Sequence, residues 1–426
     1  MVKENAMKQT EIGLIPKDWT VYTVLELIDL LTDYDANGSF SSVAENVKSY
    51  NFEEYAWYVR STDLENNSNL TNVKYVDKSS YDFLKKTSLY GGELLFLKRG
   101  DIGNVYLFEM RTEKATLAPN LYLLKLNKVS SSRYLYQYFI SEKGQAQFKS
   151  KNAGSTLGAL YKDDVKSMLV PLPPLPEQEA IAEALNDADA WIESLELLIA
   201  KKRLIKQGAM QELLKPNNDW ELVNLGENFS LKARIGWQGL TTAEYQKFGK
   251  YCLVTGTDFK NGFIKWESCV FVEKIRFHQD RNIQLREKDV LVTKDGTIGK
   301  VAYIESLPKP TTLNSGVFVI RPKNNFNNQF LYYILMSSHF DDFLEKITAG
   351  STITHLYQKD FIHFKFKSPK SLNEQTRIAT ILSNMDAELE ALEAQLAKAR
   401  QVKQGMMQEL LTGRTRLINS EKIISK

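Results

Sequence analysis

One stretch of 38 residues occurs twice in this chain of 426. EQEAIAEALNDADAWIESLELLIAKKRLIKQGAMQELL runs from Glu177 to Leu214, and EQTRIATILSNMDAELEALEAQLAKARQVKQGMMQELL from Glu374 to Leu411. Aligned without a gap, the two agree at 21 positions and close on the same KQG-x-MQELL. Background composition gives roughly two matches, so the chain contains an internal duplication. Each copy reads as a long helix. A heptad frame puts Ile181, Ala188, Leu195, Lys202 and Ala209 at one core position and Leu185, Ile192, Ile199, Lys206 and Leu213 at the other. The second copy repeats the frame with Ile378, Met385, Leu392, Ala399 and Met406, then Leu382, Leu389, Leu396, Lys403 and Leu410. Such a helix spans roughly 57 Å, and a seam this narrow is not stable alone. Each copy therefore needs a partner, and the nearest is its twin.

Local signals fit these starts. PLPPLPEQ (Pro171 to Gln178) is a stiff, extended lead-in whose last Pro suits a first helical turn, and Glu177 and Glu179 complement the helix dipole. A Pro-rich run also suits an aromatic groove, but a helix follows this one directly. Asn373 is the expected N-cap of the second copy. Gly208 and Gly405 each cost about 1 kcal/mol mid-helix against Ala, which points to close approach of another helix or to a helix end.

The sequence between the helices is duplicated more loosely. IPKDWTVYTVLEL around Trp19 is echoed by KPNNDWELVNLGE around Trp220. Variable stretches follow, LTDYDANGSFSSVAENV (31–47) and LKARIGWQGLTTAEY (231–245). Then GELLFLKRGDIGNVYLFE (92–109) matches KDVLVTKDGTIGKVAYIE (288–305), pairing Lys98 with Lys294, Gly100 with Gly296, Ile102 with Ile298 and Gly103 with Gly299. Each reads as a hairpin, followed by another strand (NLYLLKL, SGVFVIRP) and helical YLYQYFISEKGQAQF or FLYYILMSSHFDDFL. AGSTLGALYKDDV (153–165) and AGSTITHLYQKDF (349–361) close the units. Strands first and helices later, without βαβ alternation, indicate α+β domains of mixed or antiparallel strands. The expected division is 1–171, a first domain; 172–214, the central spacer helix; 215–369, a second domain; and 370–426, the second spacer helix with a basic tail.

Charge excludes little: 55 basic against 52 acidic residues leave +3, so a nucleic-acid surface must be a local patch. The charged opening residues are no signal peptide, and no run approaches 18 apolar residues. Cys252 and Cys269 lack zinc or disulfide spacing and fit buried thiols in a reducing cytoplasm.

Enzyme signatures are missing. DGTIGK at Asp295 has the wrong spacing for a phosphate loop and reads as a hairpin turn. There is no dinucleotide fingerprint and no Asn-Pro-Pro-aromatic tetrad. His278, His339, His355 and His363 form no metal-binding pair. Two matched scaffolds with unmatched loops describe recognition rather than catalysis. Lys98, Arg99, Lys294 and Lys300, with Thr297, flank glycine turns whose N–H groups suit phosphate oxygens. Ser155, Thr156, Ser351 and Thr352 either donate to phosphate or cap the next helix. In the variable stretches Asn37, Ser39, Arg60, Asp63, Arg234, Trp237, Gln238, Thr257, Asp258 and Asn261 have side chains that read base edges.

In this arrangement the chain resembles the specificity subunits of type I restriction-modification systems. The carrying features are the Asp-Trp opening, variable region, hairpin with Lys-x-Gly-x-Ile-Gly or a relative, Ala-Gly-Ser-Thr loop, PLPPLPEQ and KQG-x-MQELL helix, with LLTGRTRL at 410–417. The resemblance implies two target recognition domains, each reading half of a split double-stranded DNA site, with the two helices paired antiparallel as a pseudo-twofold spacer. It implies two methyltransferase subunits docked on the helices, restriction translocase subunits beyond them, and S-adenosylmethionine, ATP and Mg held by those partners, with no cofactor, metal or catalytic residue here and no membrane. The second unit departs from the pattern with SPKSLNEQ in place of PLPPLPEQ, and the first with KRGDIGN in place of KDGTIGK. Divergent variable stretches imply an asymmetric target. Two other readings stay open: a self-sufficient DNA-modifying enzyme, and a coiled-coil scaffold without DNA affinity.

Overall fold

The computed structural model describes residues 7–65, 70–152, 158–236, 239–348 and 355–417. Ser155, Thr156, Trp237, Gln238, Ser351 and Thr352 lie outside them. The chain forms two compact units, Met1–Glu196 with Gln395–Lys426, and Leu197–Ala394. The divisions at 196/197 and 394/395 fall within the two long helices, Leu175–Leu213 and Leu372–Leu410.

In the first unit an antiparallel sheet has the strand order Val105–Leu107, Leu94–Leu97, Leu121–Leu126, Ile28–Asp33. The expected hairpin is its Leu94–Leu97/Val105–Leu107 pair. A second sheet of five short strands holds one parallel pairing, Ala115–Leu117 against Ala56–Val59. Thr20–Thr23 pairs with Leu169–Leu172, which brings the start of the domain beside the entry to the central helix. The helical segment breaks into Ser132–Ile140 and Glu142–Asn152.

The second unit repeats this order with different residues. Its antiparallel sheet runs Phe229–Lys232, Val317–Pro322, Val290–Thr293, Val301–Tyr303. A three-stranded sheet again holds one parallel pairing, Tyr251–Val254 with Thr311–Leu313, and Trp220–Asn224 pairs with Lys365–Pro369. Helices Asn328–Leu335 and Ser338–Thr348 follow.

Every heptad core position is buried or half-buried along both helices. In the first unit Ile181 and Leu185, with Leu410 at the end of the other helix and Leu411 just past it, enter the same apolar core as Trp19 and Tyr134. In the second, Ile378 and Leu382 join Leu214, Trp220 and Tyr333. Each fully buried aliphatic side chain contributes about 1.5–3 kcal/mol, so the domains supply what a narrow seam lacks. Ion pairs give the polarity. In the first unit Asp189 meets Lys403 and Glu196 meets Arg400, the higher number on one helix facing the lower on the other, so these segments run antiparallel. In the second, Lys206 meets Asp386 and Arg203 meets Glu393. The lysines at heptad positions are therefore neutralised where the seam would otherwise bury bare charge.

A Gln at the start of each helix locks it to its domain. Gln178 Nε2 donates to the carbonyls of Val129 and Pro173, while its Oε1 accepts from Ser131 N–H. Gln375 does the same with Pro369 O and Asn327 N–H. The preceding Glu differs. Glu177 is wholly buried and accepts from Trp19 Nε1 (3.2 Å) and from the Arg416 guanidinium (2.5 and 2.7 Å), which also grips Asp18. Glu374 instead pairs with Arg377 at the surface. Two local expectations are corrected. The second helix begins at Leu372, so Ser371, not Asn373, precedes its first turn. Gly208 and Gly405 lie inside their helices, and a Cβ at either meets nothing within 4 Å, so neither admits a neighbour nor ends a helix.

Candidate nucleic-acid interface

The two hairpin loops are superimposable in their bonding. Lys98 N–H donates to Asn120 O and Lys98 O accepts from Leu160 N–H; Lys294 N–H donates to Gly316 O and Lys294 O accepts from Leu356 N–H. Both loops turn through left-handed glycines at matching places, Gly100 and Gly103 in one, Gly296 and Gly299 in the other. A Cβ at Gly100 or Gly296 meets nothing within 4 Å, so the backbone at both turns faces open space, although the Gly100 N–H itself donates to Gly158 O (3.2 Å). Gly103 and Gly299 are instead pressed against the following helix, by Gln145 and Leu344.

Side chains differ where backbones agree. Lys98 Nζ is bonded to Asp33 (2.7 Å) and Asp35 (2.8 Å), and Lys162 Nζ takes the other Asp33 oxygen at 2.8 Å. Burial pushes the Asp33 carboxyl up, but the bonds from Lys162 and Lys98 outweigh it and hold the group below its ordinary value. Lys294 lies over the Phe318 ring at 5.4 Å, as Lys98 lies over Tyr122 at 5.2 Å. Arg99, Thr297 and Lys300 are exposed. Asp295 is bonded to His355.

The residues expected to read bases divide by placement. Ser39, Thr257 and Asn261 are exposed. Ser39 caps the helix Phe40–Asn46, and Asn261, with φ at 51°, forms with Gly262 the left-handed turn between Phe259–Lys260 and Phe263–Ile264. Asn37, Arg60, Asp63, Arg234 and Asp258 are engaged inside their own unit. Asn37 donates to Tyr34 O and Thr87 Oγ1. Arg60 and Asp63 bind each other, and Asp63 is buried. Arg234 is 1% exposed and donates to Leu313 O and Thr312 Oγ1. Asp258 is buried and accepts from Thr255 and Ser268. Donor and acceptor sites used this way are not offered to a base edge. Two residues missed in the sequence are Phe40, in the first variable stretch, and Phe248, three residues past the second, which are 93% and 85% exposed. A lone Phe in a polar loop carries no signal of which way it faces.

Among the described residues no group of three or more His, Cys, Asp or Glu is placed to hold a metal, and no helix is long and apolar enough to cross a membrane. Cys252 and Cys269 are free and buried.

Comparison with known proteins agrees in extent with the duplication. A family model described as type I restriction modification DNA specificity domain matches twice, at residues 16–201 and 217–399. The type I restriction enzyme MjaVIII specificity subunit of Methanocaldococcus jannaschii is 24% identical, over 98% of this chain and 97% of that one. The fold is that of the type I restriction-modification S subunit from M. genitalium, with a TM-score of 0.60 at 18% identity, covering 96% of this chain and 98% of that one. A chain from a structure of type I R-M complex assembly and conformational transition gives a TM-score of 0.56 at 17% identity, covering 94% and 99%.

Proposed function

The chain belongs to the type I restriction-modification DNA specificity family, and from that premise we propose that each of its two domains reads one half of an asymmetric, bipartite DNA site. Residues 1–171 and 215–369 are the recognition domains, and the helices at 172–214 and 370–426 set the spacing and dock two methyltransferase subunits. Restriction translocase subunits join through these. S-adenosylmethionine, ATP and Mg belong to the partners, and this cytoplasmic chain supplies the address. The observation that carries the reading is one scaffold built twice, down to the bonds at Lys98 and Lys294, with unlike side chains on its loops. Identical frames with different contact groups recognise different half-sites. The exposed Ser39, Arg99, Thr257, Asn261, Thr297 and Lys300, with the half-buried Lys294, are the contact set among the described residues; the Gly-Ser-Thr loops, with Trp237 and Gln238, complete it.

Methylome sequencing tests this directly, comparing cells that express the chain with its cognate methyltransferase subunit against cells with the subunit alone. A split adenine-methylated motif that is not a palindrome and appears only with the chain is expected. Methylation unchanged by the chain, despite a soluble complex, favours the scaffold reading, and methyl transfer by the purified chain alone favours an enzyme.

A further inference from the structure

Position for position, the loops place their free cations differently. Lys98 and Lys294 occupy the same backbone niche and point over the same ring position, Tyr122 or Phe318. The Lys98 niche contains a carboxylate because Asp33 pairs with Tyr122 across the sheet. In the second unit the register Lys232↔Val319 puts Ala233 opposite Phe318. Lys162, two residues past Leu160, is replaced by Gln358, two past Leu356. Lys294 consequently has no ion pair among the described residues, whereas Lys98 has two.

One residue further on the pattern inverts. Arg99 bridges Ala159 through its backbone, and Asp295 bridges His355. Arg99 is exposed without an ion pair among the described residues; the Asp295 carboxylate is bonded to the His355 ring. Each loop thus keeps one uncommitted cation at this strand end, displaced by one position, and the second adds Lys300 where the first has Asn104.

We propose that Lys98 is a structural clamp and that DNA phosphate is held by Arg99 in the first domain and by Lys294 in the second. The inference rests on the DNA-recognition reading. For Lys98 to reach a phosphate it must leave Asp33, which is 4% exposed and would keep only Lys162. Arg99 and Lys294 give up nothing of the kind.

Salt dependence separates the roles, because each phosphate contact adds about 0.9 to the slope of log affinity against log salt. The full-length chain, assembled with its methyltransferase subunit, is titrated onto a random-sequence duplex by fluorescence anisotropy over a KCl series. Arg99→Ala and Lys294→Ala are each expected to flatten the slope by about 0.9, and Lys98→Met to leave it unchanged. Ala233→Asp, which installs the missing carboxylate beside Lys294, is expected to reproduce Lys294→Ala. Slopes of Arg99→Ala and Lys294→Ala equal to wild type, or a Lys98→Met slope flattened as theirs should be, overturn the inference while leaving DNA recognition intact. Should Lys98→Met unfold the first domain, the other three variants still decide. A wild-type complex with no affinity for DNA, or affinity indifferent to salt, removes the recognition reading and this inference with it.

Discussion

At the scale of single residues, the strongest commitments are buried charges satisfied by partners far away in sequence. Arg416 joins Glu177, Asp18 and the Trp19 ring, so the start of the domain, the entry to the central helix and the terminal segment meet on one guanidinium. Gly413 allows the approach: its φ is 68°, and a Cβ there would lie 2.3 Å from Pro16 Cγ. Removing Arg416 leaves Glu177 charged and buried with only the indole N–H, which costs about 3–5 kcal/mol. Arg416→Ala should lower the denaturation midpoint of the full chain accordingly, and an unchanged midpoint would refute the clamp. The bond from Arg416 holds the Asp18 carboxyl below its ordinary value against a smaller upward push from burial. The unfolded chain therefore binds more protons than the native one near that value. Its stabilisation is complete above about pH 4 and is lost as pH falls through the native pKa, so Arg416→Ala should also flatten the acid limb of stability against pH.

Among elements, the helices show why a heptad frame is readable and its polar details are not. Periodicity alone places Leu185, Leu195, Leu382 and Leu410 on a buried stripe. The partners of the stripe's lysines, Asp189 for Lys403 and Asp386 for Lys206, follow only from antiparallel pairing, which brings together residues distant in the chain. Asp189 and Asp386 are further held by the domains, through Gln137 Nε2 and the Tyr333 hydroxyl. Neither Gly208 nor Gly405 has a positive φ or a close neighbour. Gly208→Ala and Gly405→Ala should therefore each stabilise the chain by about 1 kcal/mol, read as a raised thermal midpoint; a drop would mean the glycines are needed for something other than packing.

For the whole molecule the spacer model makes a numerical claim. Seven residues added to each helix lengthen it by about 10.5 Å, or about three base pairs. Inserting one heptad into each helix at matched seam positions should lengthen the unread gap in the methylated motif by about three base pairs and leave both half-sites unchanged. A motif with its original gap would sink the ruler model.

The sequence alone determined the duplication, the order of elements in each unit, the heptad stripe and the hairpin loops, because these follow from local periodicity and turn chemistry. It also contained the resemblance that the family match bears out. What only the tertiary structure decided is which polar side chains are spent inside. Arg234, Asp63, Asp258 and Asn37 sit on variable segments beside Ser39 and Asn261 and look the same in sequence, yet the first four are bonded within the fold and the last two are exposed. Lys98 and Lys294 align residue for residue, and their neighbours, Asp33 with Asp35 and Lys162 in one unit and Ala233 with Gln358 at the matching places in the other, set one charge apart from the other. A charge is free or committed according to what lies within a few ångströms of it, and those neighbours come from remote parts of the chain.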